Sequence, residues 1–169
     1  MGKSVILNNE GIRQFTRALE LLQSSIREFN RIADTMIPEG LINNGLTKYL
    51  TEFIEFFESE SKIKVQYTSN SEDIPLREEI EIALFRGLRA LLVLLFNFAR
   101  PDLIRIQLNL YEKEVKLQIS DGGMNIFKSP TSVISQELDE ITKMLKSYKA
   151  SLTADTGTHN NELEIVVPV

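Results

Sequence analysis

The chain is 169 residues long, with 43% hydrophobic and 25% charged residues, the balance of one globular domain with a real core. With 19 Lys and Arg against 24 Asp and Glu the net charge is −5, which argues against nucleic-acid binding through phosphate neutralisation. There is no cysteine and one histidine, His159, so disulfides, thiolate chemistry, Cys-ligated zinc and multi-His metal sites are excluded.

The amino terminus carries only a short apolar run, Val5, Ile6 and Leu7, too brief for a secretory core. The most apolar stretch, residues 90–96, is closed by Arg89 and Arg100 and falls short of the roughly 20 residues that span a bilayer. The expectation is a soluble, cytoplasmic chain without membrane contact.

From Ile12 the apolar positions run Phe15, Leu19, Leu22, Ile26, Phe29, Ala33 and Met36, alternating three and four apart. This is the a/d seam of a coiled coil or bundle, startable by Asn8 or Asn9 and ended by Pro38. So narrow a stripe needs a partner helix, and a second copy of the chain supplies one, so homodimerisation through residues 12–36 is expected. Packing of the helix along its own domain is the other reading. The domain plan is a dimerisation-type helix over 1–38 and then a single domain over 39–169.

After a short link past Pro38, Leu46, Tyr49, Leu50, Phe53, Ile54 and Phe57 give one broad helical face from about Asn44. Residues 62–68 alternate as a half-buried strand, and 69–75 form a polar turn. A long helix over 77–99 turns apolar almost all round after Leu88, which marks it as the core helix. Strands over 103–110 and 114–120 flank Tyr111, Glu112 and Lys113 as a hairpin. Asp121, Gly122 and Gly123 open an irregular stretch to about Ser135, before a helix bearing Leu138, Ile141, Met144, Leu145 and Tyr148. Strands over 150–155 and 162–167 close the chain around a turn at 156–161. The sum is an α+β two-layer sandwich, with helices segregated from a mostly antiparallel sheet.

The stretch Arg31-Ile32-Ala33-Asp34-Thr35-Met36-Ile37-Pro38, with Gly45-Leu46 after it, resembles the end of the second dimerisation helix of sensor histidine kinases. The likeness is greatest to the nitrate-sensor-like subclass. The remainder of the chain is similar to the GHKL, or Bergerat-type, ATP-binding domain. Leu84-Phe85-Arg86 matches the start of its nucleotide-binding helix, 103–110 and 115–120 its central hairpin, Asp121-Gly122-Gly123 its first glycine box, and 163–168 its closing strand. The resemblance implies a mixed sheet covered by helices, two-component signalling, and ATP as candidate cofactor near Asp121, Gly123, Arg86 and Lys143. It also implies a response regulator or another signalling protein as partner. In the family the Asp accepts the adenine amino group, and the nearby Gly lets the base approach the backbone.

Departures from the family pattern bear on the same chemistry. The helix positions that carry the activating Glu and the Mg²⁺-binding Asn are Ala90 and Leu94 here, Arg89 replaces a Gln, and Phe98 replaces a His. Neither Ala nor Leu offers the hard oxygen that Mg²⁺ requires. Asn125 replaces a first-box Gly. The counterpart of the phosphate-wrapping second box, residues 132–138, has no glycine, and Asn160-Asn161 stand for the Gly-Thr before the last strand. The family's reactive His sits on an earlier helix, whereas His159 falls in a polar turn and reads as solvated. Mg²⁺ binding and autophosphorylation are therefore not expected. The runner-up reading is a non-catalytic, dimeric protein-interaction module.

Other clusters read as surface. Glu52, Glu55 and Glu58, and Glu78, Glu79 and Glu81, lie on polar helix faces with no His or Cys to complete a site. Ser24, Ser25, Ser69 and Ser71 have no base beside them. Lys62 and Lys64 are a small basic spot, and Lys143, Lys146 and Lys149 read as a solvated face, with Lys143 alone near a basic position of the family.

Overall fold

The computed structural model describes residues 10–18, 21, 39–70, 76–155 and 161–169. The chain divides into two compact units, Met1–Ile37 and Pro38–Val169. In the first, residues 10–18 are helical, and Ile12 and Phe15, the first two seam positions, are 49% and 58% exposed. The seam from Leu19 to Met36, the turn over 71–75 and the segment 156–160 with His159 lie outside the described residues.

The second unit opens with two helices, α1 (Glu39–Asn44) and α2 (Leu46–Ser61), so residues 41–43, expected as a link, are helical. Leu41 is buried, and that anchorage holds a helix too short to be stable by propensity. Gly45, at φ +73°, separates the two and offers α2 no side-chain cap. Glu81 supplies one from a distance, its Oε1 accepting from the Leu46 N–H at 3.3 Å. Strand β1 (Lys64–Ser69) leads to α3 (Glu78–Leu94), which continues as a π-helical turn over Leu95–Ala99. Strands β2 (Leu103–Leu110) and β3 (Glu114–Asp121) form the expected hairpin, with the Tyr111 N–H donating to the Glu114 carbonyl at 2.9 Å. Helix α4 (Ser132–Ser147), β4 (Ser151–Asp155) and β5 (Asn161–Pro168) complete the chain.

The sheet runs β1-β2-β3-β5-β4, with β1 parallel to β2 and the other neighbours antiparallel. Alternation sends Ile104, Ile106 and Leu108, then Val115, Leu117 and Ile119, then Leu163, Ile165 and Val167 to one buried face. The helices pack there, so the architecture is the two-layer α+β sandwich expected from the order of elements.

Helix α3 and its π turn supply the largest single share of the described core. Leu84, Leu88, Leu91, Leu92 and Leu95 are fully buried, each contributing about 2 kcal/mol relative to an exposed side chain. Phe85 meets Tyr49 and Phe53 of α2 edge-to-face, at centroid distances of 5.0 and 5.2 Å. Gly87 lets the helix settle on β5 and α4, since a Cβ there would run into the Ile165 and Leu145 side chains. Residues 78–99 form one helix long and apolar enough, by length and composition, to cross a membrane, more than the run over 90–96 suggested. Most of that length is buried against the sheet and the flanking helices.

Because α2 has no cap of its own, Glu81→Ala should lower stability by about 1 kcal/mol, read as a shifted urea midpoint at an unchanged slope. An unchanged midpoint would show that the Glu81–Leu46 bond does not cap α2.

Candidate functional site

The register of β3 on β5 places Asp121 opposite Asn161. Both residues continue the inward-facing rows of their strands, and in both rows every other inward residue of these strands is apolar. Asp121 is 1% exposed and Asn161 0%, the two buried polar residues of the described core.

Asp121 Oδ1 accepts two bonds, from the Gly123 N–H at 2.6 Å and from Asn161 Nδ2 at 3.2 Å. Its Oδ2 is buried and has no partner among the described residues. Burial pushes the Asp121 carboxyl above the usual carboxylate range, against the opposing pull of the Gly123 and Asn161 donors. Asn161 does more than pair with it. Its Nδ2 also donates to the Met124 carbonyl at 2.8 Å, and its Oδ1 accepts from the Ile126 N–H at 3.0 Å. One buried carboxamide thus ties β5, the end of β3 and the adjoining loop together.

The π turn fixes the loop from the other side. The Arg100 N–H reaches back to the Leu95 carbonyl at 3.0 Å, and Arg100 leaves the helix at φ +48°. The Ala99 carbonyl then accepts from the Met124 N–H at 3.0 Å. Gly123 passes so close that a Cβ would lie 2.7 Å from that carbonyl oxygen and 2.8 Å from Asp121 Oδ1, whereas Gly122 has open space.

The other positions expected at a nucleotide site lie on α3 and α4. Leu94 is 3% exposed, an apolar core residue, and Ala90 is half-buried. Arg86 sits thirteen residues before Ala99, about 20 Å away along a helix rising 1.5 Å per residue, and its Nη1 donates to Tyr148 Oη at 2.6 Å. Lys143 is exposed on α4. Helix α4 begins at Ser132, earlier than the irregular stretch to Ser135 expected from sequence, because Thr131 caps it. Thr131 Oγ1 accepts from the Ile134 N–H at 3.4 Å and its carbonyl accepts from the Ser135 N–H at 3.0 Å. Residues 132–138, the expected counterpart of a phosphate-wrapping loop, are therefore helical from the first, with the Ile134 and Ser135 amides engaged.

The sequence pattern puts Asn161 in a turn over 156–161, yet it is the first residue of β5. The signal available was parity: Asn161 stands two before Leu163 and so shares its inward face.

No protein-family model matches the chain, and no curated protein matches it in sequence. Solved structures do match in fold. The blue-light-activated histidine kinase EL346 of Erythrobacter litoralis superposes at TM-score 0.56 and 15% identity over 73% of this chain and 45% of that one. The histidine kinase AdeS of Acinetobacter baumannii matches at 0.55 and 9%, over 95% and 85% of the two chains. The nucleotide-free catalytic domain of histidine kinase ThkA matches at 0.51 and 13%, over 74% and 90%. The fold is that of histidine kinase catalytic domains. The chain spans less than half the length of the EL346 protein and 60% of that kinase's separately solved histidine kinase domain.

Against the nucleotide such domains imply, the two ends of the site differ. A buried carboxylate oxygen lacking a donor fits an exocyclic amine. The metal end does not fit: Ala90 and Leu94 bear no ligand atom, and among the described residues no three His, Cys, Asp or Glu cluster to hold a cation.

Gly123→Ala should destabilise by about 1–3 kcal/mol, because the backbone carbonyl of Ala99 cannot yield as a side chain would, while Gly122→Ala should be close to neutral. Chemical denaturation of both variants tests this, and equal effects would contradict the close approach.

Proposed function

We propose that the chain is a histidine-kinase-like signalling protein of two-component type whose GHKL domain has kept the base end of its nucleotide site and lost the metal and phosphate ends. The observation that carries this reading is the buried Leu94, with Ala90 one turn before it, at the positions where the resemblance expects the Mg²⁺ ligand and the activating Glu. A triphosphate brought to an apolar helix face without a cation would leave its charge uncompensated. The helical start of α4 adds to this, since Thr131 already takes up the Ile134 and Ser135 amides there. On this reading the chain does not autophosphorylate. It acts in the cytoplasm as a homodimer, on a response regulator or another signalling protein.

Isothermal titration with ATP and Mg²⁺ tests the loss of the phosphate end. Weak or undetectable heat, unchanged by Mg²⁺, is the expected result. Micromolar, metal-dependent binding would overturn the proposal.

The exposure of Ile12 and Phe15 favours self-association through the first segment, and with it a dimeric interaction module even where no nucleotide acts. Ile12→Lys with Phe15→Lys should convert a dimer into a monomer by light scattering. A wild-type monomer, or a dimer that survives both changes, would contradict it.

A further inference from the structure

We propose that the open face of the sheet binds a small zwitterion of the free amino acid class, its carboxylate on Arg105 and its ammonium on Glu162 and Glu164.

The helices of the second unit pack on the face to which Ile104, Ile119 and Leu163 point, so the alternate residues point the other way. The register sets two polar rows across that opposite face. One runs Arg105, Ser120 and Glu162, and the next runs Gln107, Gln118, Glu164 and Thr153. Long side chains flank the short Ser120, and a cleft of about 380 Å³ lies there, over β2, β3, β5 and β4. That is room for a small ligand.

The distribution of charge within the cleft carries the inference. Arg105 stands on one wall and Glu162 on the other, with one strand between them, so their Cα atoms are about 10 Å apart. Among the described residues the two make no ion pair with each other, and neither side chain has another partner. Glu164 is held beside Glu162, its Oε2 accepting from Gln118 Nε2 at 2.9 Å, which leaves Oε1 for a further donor.

An anion alone would gain at Arg105 and be repelled by the two glutamates. A cation alone would meet the reverse. A ligand bearing both charges satisfies both walls at once, and the Arg105 fork suits a carboxylate. The walls are open to solvent, so binding is expected in the millimolar range and should weaken with added salt.

L-Alanine is titrated into the ¹⁵N-labelled full chain and followed by NMR, beside its two halves. Propionate lacks the amine, and ethylammonium lacks the carboxylate. Saturable shifts of the Arg105, Ser120 and Glu162 amides are expected with alanine, at an affinity at least about tenfold above that of either half. Arg105→Gln should erase the preference over ethylammonium. Glu162→Gln with Glu164→Gln should erase the preference over propionate. Should a variant lose its dispersed spectrum, the three wild-type titrations decide the matter alone. No saturable shift with alanine, equal binding of either half, or a preference that survives in its folded variant overturns the proposal.

Discussion

Asp121 and Asn161 face each other at the ends of β3 and β5, and together they make four of the bonds that hold the stretch from Gly123 to Ile126. Without the carboxamide, the Met124 carbonyl and the Ile126 N–H would lose their partner inside the protein. Each such loss costs about 1–3 kcal/mol. The same pair leaves one carboxylate oxygen with no donor, and burial already works against the charge on that carboxyl. A chain selected for stability alone would gain by an apolar pair here. The retained cost points to use of the site, as strained or unsatisfied groups at functional positions commonly do.

On the proposed reading, the core helix accounts for a base end without a metal end. Its buried leucines hold α3 against the sheet, and Leu94 belongs to that packing, so the position is committed to the core. The π turn then ends the helix such that the Ala99 carbonyl meets the loop, tying the stretch after Asp121 to the same helix. Helix α3 and its π turn therefore supply both the leucine packing, Leu94 included, and the carbonyl that holds the loop. Histidine kinase structures share this layering at only 9–15% identity.

Much of the fold was legible because periodicity is a direct image of burial. The alternation of 103–110 and 114–120, and the apolar surround of α3, place strands and core helix within a residue or two of where they lie. Asp121 and Gly123 were legible from a turn motif and a resemblance. The α1 helix was not, since six residues carry no period and its formation depends on burying Leu41. Nor was the start of α4, where Thr131 caps a helix whose first turn is polar. The role of Asn161 was hidden for another reason: a polar residue beside a turn reads as solvated, and only the register of β5 on β3 brings it inward opposite Asp121. Long-range capping of α2 by Glu81 is likewise invisible from sequence, because 35 residues separate donor and acceptor.

A site with a base end and no phosphate or metal end is tested most directly by a crystal grown with ATP and Mg²⁺ in excess. The expected result is density for the purine with its amino group within hydrogen-bond distance of Asp121 Oδ2, and no ordered triphosphate or cation near Ala90 and Leu94. A triphosphate held on Mg²⁺ along α3, or a base bound away from Asp121, would contradict it.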